Sequence, residues 1–176
     1  MKILEFRRHS KRSTPSPHLN QEGVDKARKL GNELGDFTFV VSSNAPRAIE
    51  TAVALGYAVD EIVEEISMTP DYIEDEVTWG MNFGEFASVI KQKGKTFDYS
   101  KQMAEFLLDF SKKLPKNGSA LLVSHGGLIE IVTIGCFPNE DYDSWGKYLS
   151  TCEGVRLHIK EGKFEKVELL RVSKHD

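Results

Sequence analysis

Ala120-Leu121-Leu122-Val123, running straight into Ser124-His125-Gly126-Gly127, is the stretch that decides the fold. Four consecutive apolar residues with no polar alternation describe a strand buried on both faces, as in a parallel sheet covered by helices on either side. From Gly126 a second apolar stretch runs to Cys136 and reads as the helix that follows the strand. A strand feeding directly into a helix is half of a strand-helix-strand unit.

Working outward, the same pattern recurs. Ile3, Leu4 and Phe6 mark a strand from Lys2 to Arg7, followed by a polar, proline-containing loop from Ser10 to His18. Asn20 is a natural N-cap, and Val24, Ala27, Leu30 and Leu34 recur at helical spacing until Gly35 supplies a C-cap. Phe37 to Val41 is a second apolar run of strand length. Pro46 then starts a helix through Ala48, Ile49, Ala52 and Leu55 to Gly56. Val59 to Ile66 predicts a further short strand that ends before Pro70. Residues 67–97 carry little periodicity and read as loops with a short helix near Phe86 to Lys91. Met103, Phe106, Leu107 and Phe110 make Tyr99 to Leu114 an amphipathic helix closed by Pro115. Val155 to Ile159 and Phe164 to Leu170, joined by Glu161-Gly162-Lys163, read as a terminal hairpin. The expectation is an α/β fold: a three-layer α/β/α sandwich with a mostly parallel sheet and an antiparallel edge hairpin, one domain over residues 1–176.

With 40% hydrophobic and 28% charged residues, the composition excludes disorder, collagen and coiled coil. The net charge of −4 means that the chain as a whole does not attract nucleic acid, so an anionic ligand must be drawn by local positive charge. Lys2, Arg7, Arg8, Lys11 and Arg12 supply it at one end, against the single Glu5; from Ala48 through Ile90 there is no Lys or Arg. Cys136 and Cys152 are widely spaced and show no metal-ligand pattern, so they read as reduced, buried thiols. The amino terminus lacks the apolar core of a signal peptide, and no run approaches the ~18 apolar residues of a membrane span. The expectation is a cytoplasmic protein with no membrane partner; nothing in the sequence sets an oligomeric state.

In an open α/β sheet the carboxyl ends of parallel strands share one edge, and ligands bind there. Arg8 and His9 follow the first strand, Arg47 the second, and His125 the strand that ends at Val123. Residues far apart in the chain are thereby expected to form a positively charged pocket suited to a phosphoryl group.

These residues, with their surroundings, resemble the histidine phosphatase superfamily. The matching stretches are Phe6-Arg7-Arg8-His9-Ser10, Leu19-Asn20-Gln21-Glu22-Gly23, Ser42 through Ala52, Glu76-Val77-Thr78-Trp79-Gly80 and Val123-Ser124-His125-Gly126-Gly127, in the family's order. The resemblance implies a phosphoglycerate mutase-like fold and a phosphatase that works through a covalent phosphohistidine on His9. By it, Arg8 and Arg47 clamp the phosphoryl oxygens, and His125 stabilises the charge that develops on them. A leaving alkoxide needs a proton; Glu74, Asp75, Glu76 and Glu85 compete for that role, and the family's pattern falls on Glu76. Ser10, Arg12 and Gly126 complete the expected substrate contacts. No cofactor and no metal is expected, because arginine and histidine provide the positive charge. The partner is a phosphorylated small molecule or a phosphoprotein. Ser10 stands where the family usually has glycine, and Arg12 and Pro15 replace its following small hydroxyl and asparagine, which puts the leaving group in question. Dephosphorylation of protein phosphohistidine, mutase-type phosphoryl transfer and non-catalytic phosphate binding are the competing readings.

Overall fold

The computed structural model describes residues 1–172. Its central sheet has six strands: β1 (Lys2–Arg8), β2 (Phe39–Ser42), β3 (Glu61–Ile62), β4 (Ser119–Ser124), β5 (Gly154–Lys160) and β6 (Lys163–Leu170), in the order β3-β2-β4-β1-β5-β6. The first four in that order run parallel; β5 and β6 complete the sheet antiparallel, as the hairpin signal required.

Strand β4 shows why the fold has three layers. Ala120 and Leu122 point into one apolar cluster, with Leu4 and Phe6 of β1 and with α3 (Phe83–Lys91), α4 (Lys95–Lys112) and α5 (Leu128–Cys136). Leu121 and Val123 point the other way, onto Ala27 and Leu30 of α1 (Gln21–Gly31) and Ala48 and Ala52 of α2 (Pro46–Ala54). Side chains alternate across a strand, so only a strand apolar at every position can serve both layers.

Register places the site. Arg8 pairs with Ser124 and Ser42 with Val123, so the next residues, His9 and His125, leave adjacent strands at the same level. The exit is locked by backbone bonds from His9 N to Ser124 O (2.8 Å) and from Ser43 N to Val123 O (2.9 Å).

Several boundaries differ from expectation. The first helix ends at Gly31, not Gly35, and the fourth begins at Lys95, four residues before Tyr99. Only Glu61–Ile62 of the expected Val59–Ile66 strand pairs with the sheet; Glu64–Ile66 turns into a 3-10 helix. The cause is visible in Val63 and Ile66: both are buried, and a three-residue interval puts them on one side of a turn rather than on opposite faces of a strand. Within 67–97, Asn82 and Glu85 form a reciprocal capping box that starts α3. No helix among the described residues is long and apolar enough to cross a membrane.

Candidate active site

A cavity of about 500 Å³ opens at the carboxyl edge of the parallel strands, and Arg8, His9, Ser10, Arg12, Arg47, Glu74, Trp79, His125 and Gly126 are among its lining. Each arrives for a local reason. β1 delivers Arg8 and His9; Pro46 at the start of α2 sets Arg47 one residue into the helix; the β4–α5 turn presents His125 and Gly126. The proline-containing loop after His9 folds against α1 because Gly23 has no side chain: the Lys11 carbonyl oxygen lies 2.0 Å from where a Cβ would stand.

The two histidine rings lie edge to face, with centroids 5.2 Å apart. His9 is oriented by its Nδ1, 2.7 Å from the Ser10 carbonyl. That oxygen only accepts, so Nδ1 carries the proton and Nε2 is left with a lone pair. Arg47 Nε donates to this Nε2 at 3.1 Å, and Arg47 Nη2 lies 3.2 Å from His125 Nδ1. Guanidinium only donates, so His125 Nδ1 is the acceptor and its Nε2 carries the proton towards the Ser43 hydroxyl at 2.9 Å. Ser43 was not foreseen from the sequence.

The electrostatics agree with two neutral rings. Burial, opposed by the bond to Ser10 and reinforced by the charges of Arg47, Arg8 and Arg12, lowers His9 to about 4. Burial, then Arg47, His9, Arg8 and Arg12, lowers His125 to about 3. Crowded cations and desolvation both disfavour a further positive charge. Arg47 itself is lowered by burial and by Arg12 and Arg8, and stays charged.

Arg8 rests against Gly126 and donates through Nη1 to the Leu149 carbonyl at 2.5 Å, while its Nε is buried without a partner in the protein. Leu149 is held in turn: its N–H and that of Gly127 donate to the two oxygens of Glu130, at 2.9 and 2.7 Å. Glu130 is 1% exposed inside an otherwise apolar helix. It too was missed, although a lone carboxylate in the run Leu128-Ile129-Glu130-Ile131-Val132 is a signal for a buried, fully bonded group. The Gly127 N–H is thus committed to Glu130 and is not free for an anion, as the glycine pair had suggested.

Two further expectations are corrected. Glu76 does not line the cavity: its carboxylate accepts from Lys95 N (2.8 Å), Thr96 N (2.8 Å) and the Thr96 hydroxyl (2.7 Å) at the start of α4. Those bonds to Thr96 and Lys95 lower its pKa, as befits a helix cap and not a proton donor. The carboxylate seats over Gly94, where a Cβ would meet it at 2.3 Å. Glu74, two residues earlier, is the carboxylate that lines the cavity. Ser10 lines it as well, but its hydroxyl donates to the Gly23 carbonyl (2.7 Å) and its N–H to the Thr51 hydroxyl (2.8 Å), so it is a brace for the loop rather than a donor to an anion. Among the described residues, no group of three or more His, Cys, Asp or Glu side chains is placed to share a metal ion.

Comparison with known proteins agrees with this geometry. Residues 7–171 match the family described as Histidine phosphatase superfamily (branch 1). The fold is similar to that of a phosphoserine phosphatase from Entamoeba histolytica solved with 3-phosphoglyceric acid (20% identity, 98% of each chain covered, TM-score 0.73). It is also similar to a phosphoglycerate mutase from Bacillus anthracis (17% identity, 96% of this chain and 92% of that one, TM-score 0.67). A third likeness is to the protein histidine phosphatase SixA, solved with tungstate (16% identity, 95% and 96% covered, TM-score 0.60). A comparison with curated protein sequences finds no match.

Proposed function

Because the chain belongs to the histidine phosphatase superfamily, we propose that it hydrolyses phosphate monoesters through a phosphohistidine on His9, with Glu74 rather than Glu76 as the general acid. The observation that carries this reading is the bare Nε2 of His9, presented into the cavity by the Nδ1–Ser10 bond and met there by Arg47. An incoming phosphoryl group takes over the Arg47 donors, because a charge-assisted bond to an anionic oxygen outweighs one to a neutral ring. That leaves the Nε2 lone pair free to attack phosphorus. The N–P bond forms as the P–O bond to the leaving group breaks, and the Glu74 carboxyl gives its proton to the departing oxygen. Arg8, Arg47 and the Nε2–H of His125 face the charge that gathers on the non-bridging oxygens. In the second half, the Glu74 carboxylate takes a proton from water, the water oxygen attacks phosphorus, and the P–N bond breaks to restore His9.

The test is rapid acid-free quenching after mixing with a radiolabelled phosphomonoester. The expected label is stable to base and labile to acid, and it is absent in His9→Ala. Hydrolysis by the wild type with no trapped label, or undiminished turnover in His9→Ala, refutes the proposal.

A further inference from the structure

The cavity holds one more cation than a phosphoryl group needs. Of the seven arginines in the chain, Arg7 and Arg156 pair with Glu5, and Arg171 with Glu153. Among the described residues, Arg8, Arg12 and Arg47 have no carboxylate partner, and all three line the cavity. Lys11 also reaches the rim, but it is paired with Glu22 at 2.5 Å. Two arginines, Arg8 and Arg47, stand beside the histidines and match the two charges of a phosphate monoester. Arg12 is left over.

Arg12 is also fixed in place. Its backbone bridges to Leu19, and Nη1 donates to the Ser16 carbonyl at 2.9 Å, which leaves the rest of the planar fork without a protein partner. It depresses His9 and His125 less than Arg47 or Arg8 do, so its charge stands a step further from the reacting centre. That is the leaving-group side. Glu74 is the one carboxylate in the lining; as the acid it enters the reaction protonated and so does not neutralise Arg12. Exposed Met68 and Trp79 supply an apolar wall between these groups for a short carbon skeleton.

We propose that Arg12 receives a carboxylate carried by the leaving group, so that the site selects phosphate monoesters of small hydroxy acids. A single free guanidinium matches a monoanion in charge, and its two parallel donors match a carboxylate in shape. The inference rests on the phosphatase reading for the orientation of the substrate, but it is tested apart from it.

The test compares 3-phosphoglycerate with glycerol 3-phosphate, which share three carbons and the central hydroxyl and differ in carboxylate against hydroxymethyl. A hydrogen-bonded charge pair of this kind is worth about 10- to 100-fold. The wild type is expected to favour 3-phosphoglycerate by that factor in kcat/KM, and Arg12→Gln to bring the ratio of the two substrates to within about 3-fold. His9→Ala, titrated with the same two compounds by calorimetry, is expected to show the same preference in binding. A wild-type ratio near one, a ratio unchanged by Arg12→Gln, or no binding of 3-phosphoglycerate to His9→Ala at millimolar concentration overturns the inference. Discrimination in binding without turnover by the wild type would leave it standing and overturn the hydrolytic reading instead.

Discussion

Glutamine at position 76 and glutamine at position 74 should have opposite effects, and the difference is calculable from what each carboxylate touches. Glu76 accepts three hydrogen bonds at the amino end of α4, the longest helix, from Lys95 N, Thr96 N and the Thr96 hydroxyl. In Glu76→Gln one oxygen becomes an NH2 that faces a donor, and the negative charge that complements the helix end is lost. Losing a side-chain cap of this kind costs about 1 kcal/mol. For a chain of this length that is a fall in Tm of roughly 2–4 °C. The cap lies outside the cavity, so kcat for an alkyl phosphate should stay within about 3-fold, well short of a lost proton transfer. In Glu74→Gln the fold is untouched, but the leaving alkoxide departs without a proton, and kcat should fall by about 10²- to 10⁴-fold. Thermal melting and steady-state kinetics on both variants decide the matter. If Glu76→Gln abolishes turnover at unchanged Tm while Glu74→Gln works normally, the assignment from cavity lining is wrong and the α4 cap must come undone during catalysis.

Three further expectations follow from the same contacts. Glu74→Gln should cost far less on a phosphohistidine peptide than on an alkyl phosphate, because a departing imidazole needs less help than an alkoxide; equal losses in a side-by-side assay would argue against Glu74 as the acid. Both site histidines have folded pKa values below the unfolded 6.5, so the unfolded chain binds protons that the folded one refuses, and stability should fall as pH drops from about 6.5 towards about 4. Between pH 6.5 and 5 the loss is roughly 2 kcal/mol per histidine; urea melts should show it in the wild type and not in His9→Asn/His125→Asn, and equal slopes would mean that the rings are not held neutral. Glu130→Gln keeps one good acceptor for two buried N–H groups, which should cost about 1–3 kcal/mol in urea unfolding and raise KM through the loosened Leu149–Arg8 contact; a stability loss with KM unchanged would sever Glu130 from the phosphate pocket.

The layers were legible because they are written in runs that tolerate one interpretation. An apolar residue at every position of β4 demands cover on both faces, and the hairpin around Glu161-Gly162-Lys163 supplies the antiparallel edge. The positions of His9, Arg47 and His125 were legible for the same reason, since strand ends and register follow from those runs. The acid was not. Glu74 and Glu76 both follow the short 3-10 turn Asp71–Ile73, and local spacing does not say which of them faces the cavity. The choice is made some twenty residues away, where Gly94 leaves a gap and the first N–H groups of α4 have no other acceptor. A motif match cannot contain that information. Similarly, Val63 and Ile66 belong to a strand by composition and to a turn by contact.

The two departures in the loop after His9 now separate into different kinds. Ser10 is fully buried, and its polar groups hold three pieces together: its hydroxyl donates to Gly23 of α1, its N–H to Thr51 of α2, and its carbonyl accepts from the His9 ring. Thr51 in turn donates to the backbone carbonyl of Arg47 at 2.6 Å. The nucleophile and its principal arginine are therefore tied through one residue that never meets the substrate. A glycine there would keep the carbonyl and the N–H but lose the anchor on α1, so the serine adds rigidity to the ring that must aim its lone pair. Arg12 does the reverse: it holds the loop by a single bond to Ser16 and presents the rest of its charge to the cavity. The first departure from the family's pattern preserves the chemistry, and the second is the one placed to choose what the chemistry acts on.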